Sequence, residues 1–229
     1  MAEAKGQLTR ITLGEEGLTG QLRCPQRIQP QPGQYLLARP LEERLTLPAA
    51  LFPASLPGEE LALAAPLPAA WLPGQEFRLR GPFGRGFQPP VVATRAALAP
   101  LSGQMERLRP LLALLLKRGT SIALFAPRPP ADLPAEVEVL PLEELPEAPA
   151  WADYLAVDLT AAQLDELPRL FTTQSGKRLP CAAEALVLTP LACGGQAECG
   201  VCALETSRGW QLACKDGPVF DLNLFLGVK

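Results

Sequence analysis

Cys193, Cys199, Cys202 and Cys214 stand as C-x5-C-x2-C-x11-C in the last sixth of the chain, and no other set of residues is as well equipped for chemistry. Three thiolates on one loop with a fourth on the following element is how a protein grips a [2Fe–2S] cluster. Structural zinc, the main rival, usually draws its ligands from two separate C-x2-C knuckles. Here only Cys199 and Cys202 form such a pair. Gly194, Gly195 and Gly200 leave the loop without Cβ atoms, free to wrap and to aim N–H groups at sulfur. An iron–sulfur centre is the expectation, with zinc, a disulfide or free thiols as the alternatives. Cys24 and Cys181 fall outside the spacing and read as small buried hydrophobes.

Among the 229 residues there is no histidine, so the usual proton shuttle and commonest metal ligand are both missing. Electrons rather than protons are what such a chain is equipped to move. Its net charge is −3 with acids and bases interspersed, which gives no concentrated basic surface for nucleic acid. A hydrophobic share of 48% points to a folded globular protein. The opening MAEAKGQLTR has no apolar stretch of the secretory kind. Leu111–Leu116, the longest apolar run, is too short to span a bilayer. A soluble cytoplasmic protein is expected, and in that reducing compartment clustered cysteines are more often metal ligands than disulfides. The 26 prolines either stiffen loops of a compact fold or reflect a compositional habit of the source genome.

The elements that must position the cysteines fall into three stretches. Residues 1–90 hold short apolar runs (Leu8–Leu13, Gly20–Cys24, Gln34–Ala38, Glu60–Ala64, Glu76–Leu79) split by Pro and Gly. They read as a small antiparallel barrel or sandwich, with Pro-Gly turns at 31–34 and 72–75. Residues 91–178 alternate strands with helices. Val91–Ala93, Ser121–Ala126, Glu136–Leu140 and Tyr154–Leu159 read as strands. A helix is expected from a Ser102 cap to about Arg118, burying Leu108, Leu111, Leu112 and Leu115, kinked at Pro110 and stopped at Gly119. Thr160-Ala-Ala-Gln163 is a capping-box sequence opening a helix to about Phe171. Such alternation argues for a small parallel sheet with covered faces. Residues 179–229 form the cysteine module.

The segment Leu191–Phe220, and within it Cys214-Lys-Asp-Gly-Pro-Val-Phe220 above all, resembles the cluster-binding end of the electron-transfer subunit of heterodimeric, NAD-linked dihydroorotate dehydrogenases. Arg80-Gly-Pro-Phe-Gly-Arg-Gly-Phe87 resembles the glycine-rich stretch where that subunit's barrel passes to its second domain, and Pro32-Gly-Gln-Tyr35 its Pro-Gly-Gln-Phe strand entry. The resemblance implies a β-barrel plus α/β architecture: a ferredoxin-reductase-like flavin barrel, a nucleotide-binding-like parallel-sheet domain and a C-terminal [2Fe–2S] module. It implies electron flow from NADH to FAD, then through the cluster to an FMN in a partner flavoprotein catalytic subunit, within pyrimidine biosynthesis. It supports Cys193, Cys199, Cys202 and Cys214 as cluster ligands. Gly81, Gly84 and Gly86 become candidates to bring backbone near a flavin, the plainer reading being a tight turn between domains.

This chain departs from that pattern in three places. Its first two cysteines are five residues apart instead of four, as in vertebrate-type ferredoxins. Where the family holds flavin with Arg-Pro-(Phe/Ile/Tyr)-Ser, residues 45–52 read LTLPAALF, with Arg39-Pro40 and Arg44 only nearby. Where it carries a glycine run for a dinucleotide phosphate, residues 93–99 read ATRAALA. An electron-transfer subunit, rather than a stand-alone enzyme, is therefore expected to relay electrons through its cluster. A complete FAD- and NADH-dependent reductase and a non-redox assembly subunit with a structural zinc site are the alternatives. In the last of these, Leu222–Leu226 would serve as a docking surface. Glu198 and Glu205, flanking the loop, are read as solvated carboxylates or a mildly anionic recognition patch.

Overall fold

Alternating burial organises the first third of the chain. In the computed structural model, which describes residues 2–14, 17–43, 46–128, 130, 132–171 and 178–227, six strands occupy it: β1 (Ala2–Gly14), β2 (Gly17–Arg23), β3 (Tyr35–Pro40), β4 (Ala49–Leu51), β5 (Leu61–Leu63) and β6 (Glu76–Phe83). Every second residue of β6 points inward, Phe77, Leu79, Gly81 and Phe83, the period-two pattern of a half-buried strand. The sheet is antiparallel in the order β4-β3-β6-β1-β2-β5. Its two edges meet where Pro53 bridges Leu63 and Ala64 N–H donates to the Phe52 carbonyl, so the sheet curls into a barrel around Leu8, Leu22, Ile28, Leu36 and Leu79. Both Pro-Gly turns form as expected, with Gly33 and Gly74 at φ 84° and 87° and 2.9 and 3.2 Å bonds closing them.

The second sheet contains β7 (Arg95–Pro100), β8 (Ser121–Phe125), β9 (Val137–Leu140), β10 (Tyr154–Thr160), β11 (Ala182–Leu188) and, further on, β14 (Val219–Asp221). Their order is β14-β11-β10-β7-β8-β9. The first five are parallel and β14 is antiparallel. Helices α1 (Arg109–Lys117), α2 (Ala148–Trp151) and α3 (Leu167–Leu170) lie among these strands. Six successive residues of β10 are buried, as in a parallel strand covered on both faces. The order reverses between β7 and β10, the topological switch point where doubly wound folds take their ligands. Beyond β11 come the hairpin β12 (Ala203–Thr206) and β13 (Gly209–Leu212), then α4 (Ala213–Asp216), and after β14 the short α5 (Asn223–Leu226).

Four expectations need correction. Val91–Ala93 is a turn, not a strand; Val91 and Val92 are 88% and 84% exposed. The strand starts at Arg95, where Asp153 accepts the Thr94 and Arg95 N–H groups. The helix begins at Arg109 rather than at Ser102, with Pro110 in its first turn, a position that proline favours because its missing N–H is not needed there. The capping box at Thr160 and Gln163 forms, but it opens a 3-10 stretch, Ala161–Glu166, that runs into α3. The boundary expected between residues 178 and 179 falls inside the second sheet, because β11 and β14 complete it. Among the strands, β4, β11, the β12–β13 hairpin and β14 had no counterpart in the sequence pattern. Among the described residues no helix is long and apolar enough to cross a membrane.

Candidate metal centre

The loop from Cys193 to Cys202 is wound by left-handed backbone. Gly194, Gly195, Ala197 and Gly200 have φ of 63°, 75°, 61° and 70°, a region that suits glycine and strains alanine. The winding turns N–H groups inward. Those of Glu198, Cys199 and Gln196 reach the Cys193 sulfur and lower its pKa to about 6, the Glu198 contact weighing most. Burial pushes the Cys214 thiol up to about 11, strengthened by its hydrogen bond and charge contact with Cys202 and opposed by the Ala197 N–H. The expectation that the loop aims donors at sulfur is met.

The eleven residues between Cys202 and Cys214 are the hairpin. Ala203 pairs with Leu212, the turn closes at Gly209 (φ 94°), and Ala213 N–H returns to the Cys202 carbonyl at 3.0 Å. The chain thus goes out and comes back to set Cys214 beside Cys202. On the loop Cys193 is hydrogen-bonded to Cys199. Cys202 acts likewise on Cys214, and Cys193 is close enough to act on it as well. Among the described residues no three Cys, Asp or Glu side chains close on a point that one metal ion could occupy. Four thiols gathered on one loop and the hairpin that returns to it are the donor set of a [2Fe–2S] cluster. Cys199 is exposed, while Cys202 and Cys214 are buried. Cys24 and Cys181 stay apart from this group; burial raises both thiols, Cys24 to about 11.

The module is seated on the barrel. Gly194 passes Pro48 so closely that a Cβ would lie 2.9 Å from its ring. Tyr35, Leu37 and Phe83 form a small buried layer with Phe52 and Leu191 beneath the loop. The three candidate flavin glycines face the chain itself. A Cβ on Gly81 would meet Leu36 at 2.7 Å, one on Gly84 would meet Pro218 at 2.4 Å, and one on Gly86 the Pro32 carbonyl at 2.6 Å. Their small size is used for barrel, linker and module to touch, and Arg85 N–H donates to the Gly217 carbonyl at 2.6 Å. A cavity of about 500 Å³ lies on the other side of the loop, with Arg39, Arg78 and Arg80 on the barrel wall and Cys193 and Glu198 opposite. Leu222, Leu224 and Phe225 are buried in the core that lines one face of the second sheet, which removes the Leu222–Leu226 tail as a docking surface.

The crevice at the sheet's switch point is closed. Arg107, 3% exposed, directs Nε to Asp158 Oδ2 at 2.7 Å and Nη2 to Asp158 Oδ1 at 3.2 Å. It also bonds Ser102 Oγ at 2.9 Å, the Ala65 carbonyl at 3.0 Å and Gln104. Asp158 sits at the carboxyl end of β10, opposite Pro100 of β7. Gln163 of the capping box holds the Leu101 carbonyl at 2.7 Å. The loop that would cradle a dinucleotide phosphate is thus residues 101–108, later than the 93–99 expected, and a fully buried ion pair fills it. A nicotinamide dinucleotide does not fit this crevice. Sequence reasoning missed Arg107 and Asp158; the one available signal was a carboxylate inside the apolar run YLAVDL.

An antiparallel barrel followed by a sheet of doubly wound order, with a four-cysteine loop at its end, is a ferredoxin-reductase-like fold. Residues 191–225, which hold all four cysteines, match the iron–sulfur cluster binding domain of dihydroorotate dehydrogenase B. Solved structures share the fold over most of the chain. The NADH-dependent reduced ferredoxin–NADP oxidoreductase, from work on flavin-based electron bifurcation, is 14% identical with a TM-score of 0.71 over 96% of this chain and 89% of that one. The cytochrome P450 reductase GcoB of Amycolatopsis is 11% identical with a TM-score of 0.63 over 82% and 70%. The ferredoxin reductase of carbazole 1,9a-dioxygenase is 15% identical with a TM-score of 0.59 over 80% and 68%. No curated protein is a significant match to the chain.

Proposed function

We propose that this chain is an electron-transfer subunit that relays single electrons through a [2Fe–2S] cluster held by Cys193, Cys199, Cys202 and Cys214, to or from a cytoplasmic flavoprotein catalytic subunit of the dihydroorotate dehydrogenase kind. The observation that carries this is the gathering of the four cysteines on one loop and the hairpin that returns to it, inside a segment matched by an iron–sulfur domain. The cluster, when bound, supplies the one-electron chemistry. The chain's own Glu198, Cys199 and Gln196 N–H groups favour the anion at Cys193, and Cys199 is left at the surface. The sealed crevice favours a relay over a reductase, since an electron donor other than NADH is then required. Gly81, Gly84 and Gly86 serve the joint between domains in this reading.

Anaerobic reconstitution tests the proposal. The expected product is brown, carries iron and acid-labile sulfide, and bleaches on reduction; colourless protein with stoichiometric zinc would defeat it. Cys202→Ser should abolish the visible absorption and the electron transfer while partner binding persists, whereas a structural site would lose fold and binding together. One observation favours a second reading, a chain that also carries FAD: the cavity that sets Arg39, Arg78 and Arg80 opposite Cys193 has the charge for a dinucleotide's phosphates. Extractable FAD from the purified protein would select it.

A further inference from the structure

Tyr35 is wholly buried, and its hydroxyl has no hydrogen-bond partner among the described residues. Buried hydroxyls are nearly always paired, so an orphan of this kind calls for an explanation. The ring has little freedom to look for a partner. It is stacked on Phe83 at 5.7 Å between centroids and tilted against Phe52 at 5.6 Å. Gly84 presses on its flank, 3.2 Å from where a Cβ would stand to Cε1. The hydroxyl is held towards the cysteine loop: a Cβ on Gly195 would lie 3.5 Å from Oη, and glycine leaves that approach open. Cys214, Cys202 and Cys193 are all near enough to act on it electrostatically. The loop's N–H groups reach sulfur from its own backbone, and Tyr35 faces the same sulfurs from the barrel.

We propose that Tyr35 donates a hydrogen bond from Oη to a sulfur of the bound cluster, either a cysteinyl Sγ or a bridging sulfide, and thereby raises the reduction potential. This rests on the iron–sulfur reading above. Reduction adds negative charge that spreads over the sulfurs, so a fixed donor there stabilises the reduced form more than the oxidised one. Tyr35 is a positioning residue in this scheme, since it moves no electron itself.

Tyr35→Phe in the full chain removes only an atom that has no partner among the described residues, so iron content, sulfide content and thermal stability should match the unsubstituted protein. Its potential should fall until the equilibrium constant for reduction is about tenfold lower, about 59 mV for a one-electron couple. Pulsed EPR of the reduced protein should lose one exchangeable-proton coupling. A change under about twofold at equal iron and sulfide, with no coupling lost, overturns the inference and leaves the functional reading intact. Unsubstituted protein that takes up neither iron nor sulfide overturns the reading itself. If Tyr35→Phe does not load, labelling with 3-fluorotyrosine decides the matter. A more acidic phenol is a stronger donor and should raise the potential, and no movement would overturn the inference. The chain's other tyrosine, Tyr154, donates to Glu184 at 2.8 Å, and a Tyr154→Phe control measures its share.

Discussion

A guanidinium and a carboxylate that bury each other leave no free charge for a phosphate. Arg107 and Asp158 are 3% and 0% exposed at their side chains, and the remaining donors of Arg107 go to Ser102, Gln104 and the Ala65 carbonyl. The pair therefore locks the loop after β7 to β10 and to the barrel at once. Removing one partner strands the other in the interior, which typically costs about 3–5 kcal/mol. Asp158→Asn should lower stability on that scale in denaturant titration. The double substitution Arg107→Met with Asp158→Leu should recover most of it, because well-packed apolar side chains of similar volume replace buried ion pairs at little cost. A loss near zero for the single variant would show that the crevice opens readily to water. The cysteines were legible in the sequence because their spacing is local. Arg107 was not, because its partners lie 51 and 42 residues away and only the tertiary fold brings them together. Tyr35 was visible as part of a strand entry, but its missing partner shows only once the barrel and the cysteine loop are placed against each other.

At the scale of elements, strand β7 shows why the expected register slipped. Val91–Ala93 has strand-like residues but follows Pro89-Pro90, and Ala93 N–H closes a turn on the Pro90 carbonyl. The strand's start is set by Asp153, which precedes β10 and accepts from Thr94 N–H at 2.9 Å, Thr94 Oγ1 at 2.8 Å and Arg95 N–H at 3.0 Å. The Thr94 N–H is the main cause, with its hydroxyl and the Arg95 N–H next, that holds the Asp153 carboxyl at about 2. A carboxyl whose folded value is depressed adds stability above its unfolded value, about 3.9, and loses it as pH falls through the folded one. Asp153→Asn should thus be less stable than the unsubstituted chain at neutral pH, with the gap closing between about pH 4 and pH 2. Equal stability of the two at pH 7 would count against the strand-start role. Gly84 makes a parallel case for the joint between barrel and module. At φ 80°, a Cβ there would stand 2.4 Å from Pro218 and 2.8 Å from the Gly217 carbonyl. Gly84→Ala should lower stability by more than about 1 kcal/mol, read as a drop in Tm. The short strand β4 and the β12–β13 hairpin escaped sequence reading because three or four residues carry too little alternation to be told from a loop.

Taken whole, the molecule holds its cysteine loop in a fixed place. The chain leaves the second sheet at β11, forms the loop and hairpin, and returns to the same sheet as β14 beside β11. Gly84 and Arg85 meet Gly217 and Pro218 on that return, and Gly194 rests on Pro48 of the barrel. A loop pinned from three sides cannot swing towards a distant centre, so in the relay proposed above the partner must come to it. The face it offers carries Cys199, exposed, and Val201, 52% exposed and next to Cys202. An apolar side chain beside the centre suits close approach, since it surrenders little hydration when covered. A carboxylate there would have to be buried unpaired at the contact. Val201→Glu should therefore leave iron content and the visible spectrum unchanged and weaken binding of the catalytic subunit by about tenfold or more, with electron transfer falling in step. NADH alone should reduce neither protein, because the crevice that would receive it is filled. If Val201→Glu transfers electrons at the unsubstituted rate, the partner docks on another face; if NADH bleaches the cluster directly, the Arg107–Asp158 seal does not govern access.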